Sequence, residues 1–452
     1  MRGRFFKSAG GSVANKILDL APPILVAWLI DSVTGNTPEW IESLGLGGIT
    51  ANLIFLGVLA VVIFGGESIT QWFYQRGFMS IAQDLQHGLR MDAYRAMQGR
   101  EIRFFEEHRL GKTLAMLNDD VNQLERFFNT AFARIIQMLV LFAFAGVVLF
   151  SISPILAALG LIPVPLIIFG SLKFSKSLQP RYKKVRESVG EVASRLENNI
   201  GGILVIKSFT AENYEAGRVE EASKAYRDAN YNAIKLNAMF VPLIRMAIAL
   251  GFGVVIAVGG WFVTQGQLTA GELVLFCMMI QRILWPLTGL GEVLDEYQRA
   301  RASANRIFGL LDTPSRIQDP ESPRELKRAK GEVEFADVHF KYRDREPVLN
   351  GLKLKVETGQ MVGIAGTTGA GKSTLIKLLL RLYDVDDGAV KIDGHDIREY
   401  SQHDLRSQIA LVSQDVYLFH GSIRENIAYP GVDVSDDDIE RASTAAQFHE
   451  FV

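Results

Sequence analysis

One stretch of eight residues has the residue types and spacing of a phosphate-binding loop. It consists of Gly366, Thr367, Thr368, Gly369, Ala370, Gly371, Lys372 and Ser373, which fit the pattern G-x-x-x-x-G-K-[ST]. Glycines let the backbone wrap so tightly that several N–H groups point at one anion. We expect Lys372 to bridge the β- and γ-phosphates of a nucleotide and the Ser373 hydroxyl to bind Mg²⁺. Thr374 would support the α-phosphate region.

The residues around this loop predict the elements that hold it in place. Residues 360–365 are expected to form a short buried strand, and residues 373–382 a helix with an apolar face. A glycine loop between a strand and a helix offers an anion both free backbone donors and the positive end of the helix dipole. The alternative is a glycine turn that binds no ligand.

The composition of the 452 residues favours a membrane protein and excludes several other classes. The mean hydropathy is +0.14, a positive value typical of chains that cross a membrane. Lys and Arg number 48 against 50 Asp and Glu, so the net charge of −2 gives no reason to expect a nucleic-acid partner. The only cysteine is Cys277, which excludes an intrachain disulfide and zinc-finger spacings.

Six apolar stretches predict six transmembrane helices. They lie at about 13–33, 49–74, 241–263 and 273–293, with two more inside the uncharged block 135–172. Residues 151–154 supply a turn that divides this block. The helices therefore cross a lipid bilayer, and we expect a multi-pass protein of the plasma (inner) membrane.

The charges of the connections predict the orientation. Residues 34–48, 151–154 and 264–271 contain no Lys or Arg, whereas 76–134 and 173–240 are rich in both. The positive-inside rule places the basic connections, both termini and the soluble part in the cytoplasm. Both basic connections are too long for structureless loops. We expect them to be helical hairpins that continue the membrane helices, with tips at 105–114 and 210–218; two small interfacial helical bundles are the alternative.

The composition changes again after residue 310. Residues 1–310 are predicted to form the transmembrane domain, 311–330 a linker rich in proline and charge, and 331–452 a partial α/β domain. The predicted fold class is a multi-span α-helical membrane domain, with six transmembrane helices and long cytoplasmic extensions, followed by a partial α/β P-loop NTPase domain.

The order of these features resembles that of an ABC transporter of the exporter type, and the resemblance covers the whole chain. His339-Phe340-Lys341-Tyr342 is similar to the segment whose aromatic residue stacks on adenine in that family. Val412-Ser413-Gln414-Asp415 is similar to its Q-loop. The resemblance implies ATP and Mg²⁺ as cofactors. It also implies that Tyr342 holds adenine, that Gln414 contacts Mg²⁺ and the attacking water, and that the hairpin tips dock on nucleotide domains.

The same resemblance implies a function and a set of partners. The chain would be one subunit of a dimer that exports a substrate at the expense of ATP, paired with a second half-transporter subunit in a homodimer or a heterodimer. Apolar helices with few charges suggest a hydrophobic or amphipathic cargo such as a lipid or a drug, although peptides fit as well. The alternative is a non-catalytic membrane scaffold subunit paired with a complete ABC partner.

Three elements of the resembled family are absent from the 452 residues: the glycine-rich signature, the Walker B strand that ends in Asp-Glu, and the switch histidine. Hydrolysis needs a base that orients water and groups that stabilise the departing phosphate. We therefore expect these residues to contact nucleotide weakly and not to hydrolyse it. The coding DNA beyond Val452 would separate a fragment of a complete gene, the interpretation we favour, from a scaffold subunit.

Arg282 lies midway along the sixth apolar stretch. An arginine at the membrane centre costs roughly 2.5–3.5 kcal/mol on insertion scales, so a function or a partner is expected for it. It either lines a translocation cavity or belongs to a structural ion pair, for which Glu67 is a possible partner. Pro286 and Gly289 predict that the sixth helix bends.

Overall fold

The computed structural model describes residues 2–108, 110–343, 346–431 and 434–451, which fall into two compact units. The first unit comprises Met1–Gly99 and Glu107–Pro314. The second comprises Ser315–Val452 together with the short segment Arg100–Glu106. The chain therefore enters the second unit twice, once for only a few residues.

The described part of the first unit contains six helical stretches long and apolar enough to cross a membrane, which confirms the predicted multi-span membrane fold. They are Arg2–Thr34, Ile49–Gln98, Leu110–Ile152, Pro154–Gly201, Glu212–Thr264 and Ala270–Asp312. A helix satisfies all its backbone hydrogen bonds internally, which is the condition for crossing a hydrocarbon core of about 30 Å.

Several of these stretches consist of more than one helix. In chain order the helices are α1 (Arg2–Asp19), α2 (Ala21–Thr34), α3 (Glu39–Glu42), α4 (Ile49–Gln98), α5 (Ile102–Glu107), α6 (Leu110–Ala115), α7 (Val121–Arg126), α8 (Phe132–Ile152), α9 (Pro154–Leu161), α10 (Pro163–Gly201), α11 (Ile203–Ser208), α12 (Glu212–Thr264), α13 (Ala270–Leu284) and α14 (Leu290–Asp312). Wider π-helical turns at Met116–Asp120 and Phe127–Ala131 flank α7. A 3₁₀ turn at Trp285–Gly289 joins α13 to α14, at the predicted bend.

Two helices are far longer than a bilayer requires. Helix α4 has 50 residues and α12 has 53. At 1.5 Å per residue each extends about 75–80 Å, more than twice the thickness of the hydrocarbon core. Both helices must therefore continue into water, as the predicted long extensions require.

The hairpin tips differ from their predicted positions. The first break begins at Gly99, directly after α4 ends at Gln98 and before the predicted start at residue 105. Arg109 of the predicted tip lies outside the described residues. The second break comprises Gly202, between α10 and α11, and residues 209–211, where Thr210 has a φ of 48°. Residues 212–218, predicted as part of this tip, instead form the first turns of α12.

Helix α13 lies at the centre of the membrane core. Its fully buried side chains recur at the spacing of one broad helix face: Leu275, Phe276, Met279, Ile280, Ile283 and Leu284. Gly160 lets α9 approach this face, because a Cβ at that position would lie 2.6 Å from Cδ1 of Ile280.

The start of α13 is fixed to α2 by a buried carboxylate. Asp31 is only 6% exposed. Its two oxygens accept hydrogen bonds from the Gly271 N–H and the Thr269 hydroxyl, each at 2.9 Å. A Cβ on Gly271 would lie 2.2 Å from the Ala27 carbonyl oxygen and 2.5 Å from the Asp31 carboxyl group. Only glycine fits at this contact.

We predict that Gly271→Ala lowers the stability of the membrane unit, because the added methyl must push α2 and α13 apart. Overpacking of this kind costs about 1–3 kcal/mol, which thermal unfolding in detergent or nanodiscs would register as a lower Tm. Gly253→Ala on α12 is the matched control, since a Cβ there meets no atom within 4 Å. Equal Tm values for the two variants would contradict the contact.

The second unit contains a small antiparallel sheet and several short helices. Its strands are β1 (Val333–Lys341), β2 (Pro347–Val356), β3 (Asp387–Ile392) and β4 (His395–Asp396), in the spatial order β2-β1-β3-β4. Its helices are α15 (Lys372–Leu379), α16 (Gln402–Ser407), α17 (Ile423–Ile427) and α18 (Asp436–Ala445), with 3₁₀ turns at Ile397–Glu399 and His449–Phe451. Its core includes Phe335, Val338, Leu375, Leu378 and Val390.

The predicted strand over residues 360–365 is wrong. This segment is irregular and exposed, with Met361 98% exposed. A strand needs a neighbouring strand for its backbone groups, and none of the four described strands pairs with these residues. The helix that follows is confirmed but ends at Leu379 rather than 382, because the chain turns at Arg381, where φ is 48°.

Candidate nucleotide-binding site

The predicted phosphate loop leads directly into α15. Gly369 and Gly371 have φ values of +89° and +88°, in the left-handed region that glycine adopts without strain. Gly371 is the N-cap of α15 and contributes no capping side chain. The first N–H groups of the helix therefore have no side-chain partner at this end, which is the arrangement that binds phosphate in proteins.

The side chain of Lys372 folds back over the loop. Its ammonium donates hydrogen bonds to the carbonyl oxygens of Gly366 and Thr367, each at 2.8 Å. Residues 366–370 and Ser373 are exposed, whereas Thr374 is buried. The loop thus presents one ammonium, a hydroxyl and a helix N-terminus to solvent, a set of groups that fits a polyphosphate and its metal ion.

The structure brings Tyr342 to this loop from a distant part of the sequence. Tyr342 follows β1, and its hydroxyl oxygen lies 3.2 Å from Oγ1 of Thr374. Its ring makes edge contacts with Phe340 and Tyr383, with centroids 4.9 and 5.3 Å apart. The predicted adenine platform is therefore next to the predicted phosphate loop.

Gln414 is not brought to the loop in the same way. It lies in an irregular segment between α16 and α17 and is exposed. Among the described residues its side chain has no hydrogen bond, so none joins it to Lys372 or Ser373. As with residues 360–365, none of the described strands pairs with the segment that contains Gln414, so no strand holds this segment against the loop.

Sequence reasoning missed a cluster next to the loop. Glu106 lies in the segment Arg100–Glu106, which follows α4 in the chain but belongs to the second unit. It accepts a hydrogen bond from Lys377 at 2.8 Å and another from the Tyr383 hydroxyl. The Lys377 ammonium is also 5.7 Å from the centroid of the Tyr342 ring. Glu106 and Lys377 are 271 positions apart, so sequence spacing carried no signal beyond the predicted hairpin tip.

The cluster shifts the proton affinities of its members. Burial raises the pKa of the Tyr383 phenol well above its usual value, and the hydrogen bond to Glu106 raises this pKa further. Burial alone would lower the pKa of Lys377, but the hydrogen bonds and charges of Glu106 and Tyr342 together outweigh burial and raise this pKa. Over the physiological pH range Tyr383 is therefore a neutral phenol and Lys377 an ammonium.

Carboxylates also hold the linker at both ends. Glu101 accepts hydrogen bonds from the Ser315 hydroxyl at 2.9 Å and the Arg316 N–H at 3.3 Å. At the other end Asp393 accepts three backbone N–H groups of residues 330–332, at 2.7–3.1 Å. Burial raises the pKa of Glu101, but its hydrogen bonds outweigh this and lower the pKa. Asp393 lies in the turn that connects β3 to β4.

Arg282 has a partner other than the one suggested by the sequence. It forms an ion pair with Asp19, with Nη1 and Oδ1 2.5 Å apart, rather than with Glu67. Lys16 contacts the other oxygen of Asp19 at 2.6 Å. Arg282 also lines a cavity of about 640 Å³ in the membrane unit. Arg282 is therefore ion-paired and also lines a cavity, and its role in translocation stays a prediction.

Comparison with known proteins agrees with this architecture. A sequence model described as the ABC transporter transmembrane region matches residues 6–287, and one described as ABC transporter matches residues 349–452. The uncharacterized ABC transporter ATP-binding protein YwjA of Bacillus subtilis is 29% identical over 99% of the chain and 76% of its own length.

A relative and a solved structure add to this comparison. The fatty acid ABC transporter ATP-binding/permease protein of Mycobacterium bovis is 31% identical over 87% of the chain, but the match spans only 62% of that relative. The structure of a bacterial Atm1-family ABC exporter with ATP bound superposes with a TM-score of 0.80 at 23% identity, covering 100% of the chain and 78% of that protein. The likeness to this structure establishes the fold.

We predict that Tyr383→Phe weakens the second unit in a pH-dependent way. Loss of the hydrogen bond to the half-exposed Glu106 costs about 1 kcal/mol. Because the folded-state pKa of Tyr383 is raised, its stabilising effect is complete below the usual tyrosine pKa of about 10 and is lost as the pH rises above it. The Tm difference between wild type and variant should therefore shrink above pH 10.

Tyr417→Phe is the control, because Tyr417 is 78% exposed and its hydroxyl has no hydrogen bond among the described residues. Its Tm should match that of wild type at every pH. A Tyr383→Phe difference that stays constant from pH 8 to 11 would contradict the raised pKa.

Proposed function

The chain belongs to the ABC transporter family, and from this premise we propose that it is one subunit of a dimeric exporter driven by ATP. The observation that carries the proposal is a phosphate loop at the N-terminus of α15, in a chain that also contains six membrane-spanning helical stretches. ATP bound at such a loop would supply the free energy for export, and the membrane helices would form the path of the substrate.

The described residues fit the parts of a nucleotide in a definite order. Lys372 would contact the β- and γ-phosphates, and the exposed Ser373 hydroxyl would bind the Mg²⁺ that accompanies them. Tyr342 would stack on adenine, at a distance from the loop set by its contact with Thr374. Gln414 would contact Mg²⁺ and the attacking water, once its segment is held against the loop.

We further propose that these 452 residues bind ATP without turning it over. The sequence contains a phosphate loop but no Walker B glutamate, signature or switch histidine. Phosphoryl transfer to water requires a group that positions the water and charges that stabilise the transition state. The loop alone supplies binding energy to the ground state, which does not accelerate the chemical step.

The proposed setting is the inner membrane, with both termini and the nucleotide site in the cytoplasm, a placement that the loop charges support. The partner is a second half-transporter subunit, identical or different. The cargo is hydrophobic or amphipathic, which the apolar membrane unit and the fatty acid transporter among the relatives both support.

Communication between the nucleotide and the membrane helices is proposed to pass through the segment Arg100–Glu106. This segment continues directly from α4, and its Glu106 bonds to Lys377 of the helix that the phosphate loop begins. A shift of α15 when a nucleotide binds would therefore act on the end of a membrane helix.

We predict that Lys372→Ala lowers the affinity of the purified chain for ATP by about 10- to 100-fold, because it removes a charge-assisted contact to phosphate. Equilibrium binding of a fluorescent ATP analogue in the presence of Mg²⁺ measures the effect. Lys353→Ala is the control, since Lys353 is an exposed lysine on β2 of the same unit. Equal affinities for the two variants would contradict the site.

The same preparation tests turnover. Wild type should bind ATP and release no inorganic phosphate above the rate of Lys372→Ala. Phosphate release that depends on Mg²⁺ and disappears in Lys372→Ala would show that these residues contain a catalytic base, and the proposal of binding without turnover would be lost.

A further inference from the structure

The cavity in the membrane unit has an unusual charge for its location. Three cationic side chains and one carboxylate line its wall: Lys16, Arg245, Arg282 and Asp19. Three positive charges and one negative charge leave a net charge of +2. A transmembrane segment exposes such charges at a free-energy cost, so retained charges point to a ligand or a path for one.

The carboxylate is already shared by two of the cations. Asp19 bonds to Lys16 at 2.6 Å and to Arg282 at 2.5 Å, and the side chains of both cations are largely covered. This three-residue group retains one positive charge. The pairing fixes the positions of Lys16 and Arg282 on one side of the cavity.

Arg245 is the cation that remains available. Among the described residues it has no carboxylate within ion-pair distance. Its guanidinium lies 5.7 Å from the centroid of the Trp285 ring, which orients it without neutralising its charge. A guanidinium can donate two parallel hydrogen bonds to a carboxylate or a phosphate, so this group suits an anion.

The rest of the cavity wall is mostly apolar. Ile248, Ala249 and Phe252 lie on the same helix as Arg245, whereas Met278 lies on α13 and Pro286 in the turn that follows it. The volume of about 640 Å³ is in the range of cavities that bury a small amphipathic molecule. The cavity wall therefore combines the cationic side chains of Lys16, Arg245 and Arg282 with an apolar surface.

We propose that this cavity selects amphipathic cargo with one anionic headgroup, a carboxylate or a phosphate, and an apolar tail. Arg245 binds the headgroup, the group of Lys16, Asp19 and Arg282 supplies further positive potential, and the tail lies against Ile248 and Phe252. The inference rests on the proposed export function and makes its cargo class specific. A neutral amphipath would leave Arg245 unpaired, and a cationic one would be repelled.

Equilibrium binding to the purified chain in phosphatidylcholine nanodiscs tests the proposal. The probes are a fluorescent twelve-carbon carboxylic acid, its methyl ester and a monododecyl phosphate, with empty nanodiscs as the blank. Wild type should bind the acid and the phosphate at least about tenfold more tightly than the ester. Acetate, which has no tail, should not compete.

Arg245→Gln should reduce the preference for the acid over the ester to within about twofold, while binding of the ester stays unchanged. Arg227→Gln is the matched control on the same helix, since Arg227 pairs with Asp228 and does not line the cavity. Its preference should equal that of wild type. Loss of the preference in both variants, or in neither, would overturn the assignment to Arg245.

Asp19→Asn is expected to raise the affinity for the carboxylic acid, an effect that a misfolded protein would not show. It removes the competing carboxylate and should tighten binding of the acid about threefold or more, with little effect on the ester. Weaker binding of the acid in this variant, with unchanged binding of the ester, would contradict the proposed potential.

Parallel measurement of ATP binding separates this inference from the function on which it rests. Equal binding of the acid and the ester by wild type would overturn only the anion selectivity. Failure of every amphipath to bind would overturn both the selectivity and the proposed amphipathic cargo, while failure of ATP to bind would overturn the proposed motor alone.

Discussion

The requirement that backbone hydrogen bonds be satisfied inside a membrane governs the first unit. It restricts every crossing to a helix, and a helix that meets no break continues into water. Helices α4 and α12, with 50 and 53 residues, are the result. Because both helices are longer than the bilayer requires, they extend beyond it as rigid rods. The chain that follows α4 forms the segment Arg100–Glu106, which belongs to the second unit.

Helix α15 of the second unit is connected both to this segment, through a side-chain hydrogen bond, and to the predicted phosphate loop, which precedes it in the chain. Helix α15 begins at Lys372 and carries Lys377 one and a half turns later, so one rigid element bears both the proposed phosphate-binding lysine and the partner of Glu106. Tyr383 and Tyr342 pack edge to face beside it. A displacement of α15 therefore cannot leave Glu106 and Tyr342 unaffected, which gives the proposed coupling a physical route.

Sequence patterns were sufficient where the determining residues are neighbours in the chain. Apolar runs predicted the membrane helices, and glycine spacing predicted the loop before α15. They failed where neighbours in space decide the outcome. Residues 360–365 are apolar enough for a strand but have no adjacent strand among those described, and Gln414 lacks a support for the same reason. The pairs Asp19–Arg282 and Glu106–Lys377 join residues hundreds of positions apart, so local spacing carries no trace of them.

The central claim is that the nucleotide site acts on the membrane helices through the segment Arg100–Glu106. Hydrogen–deuterium exchange of the purified chain in nanodiscs, with and without ATP and Mg²⁺, tests it most directly. We predict slower exchange at residues 366–374 and a simultaneous change at residues 100–106, with both effects absent in Lys372→Ala. Protection of the loop with no change at residues 100–106 would contradict the account.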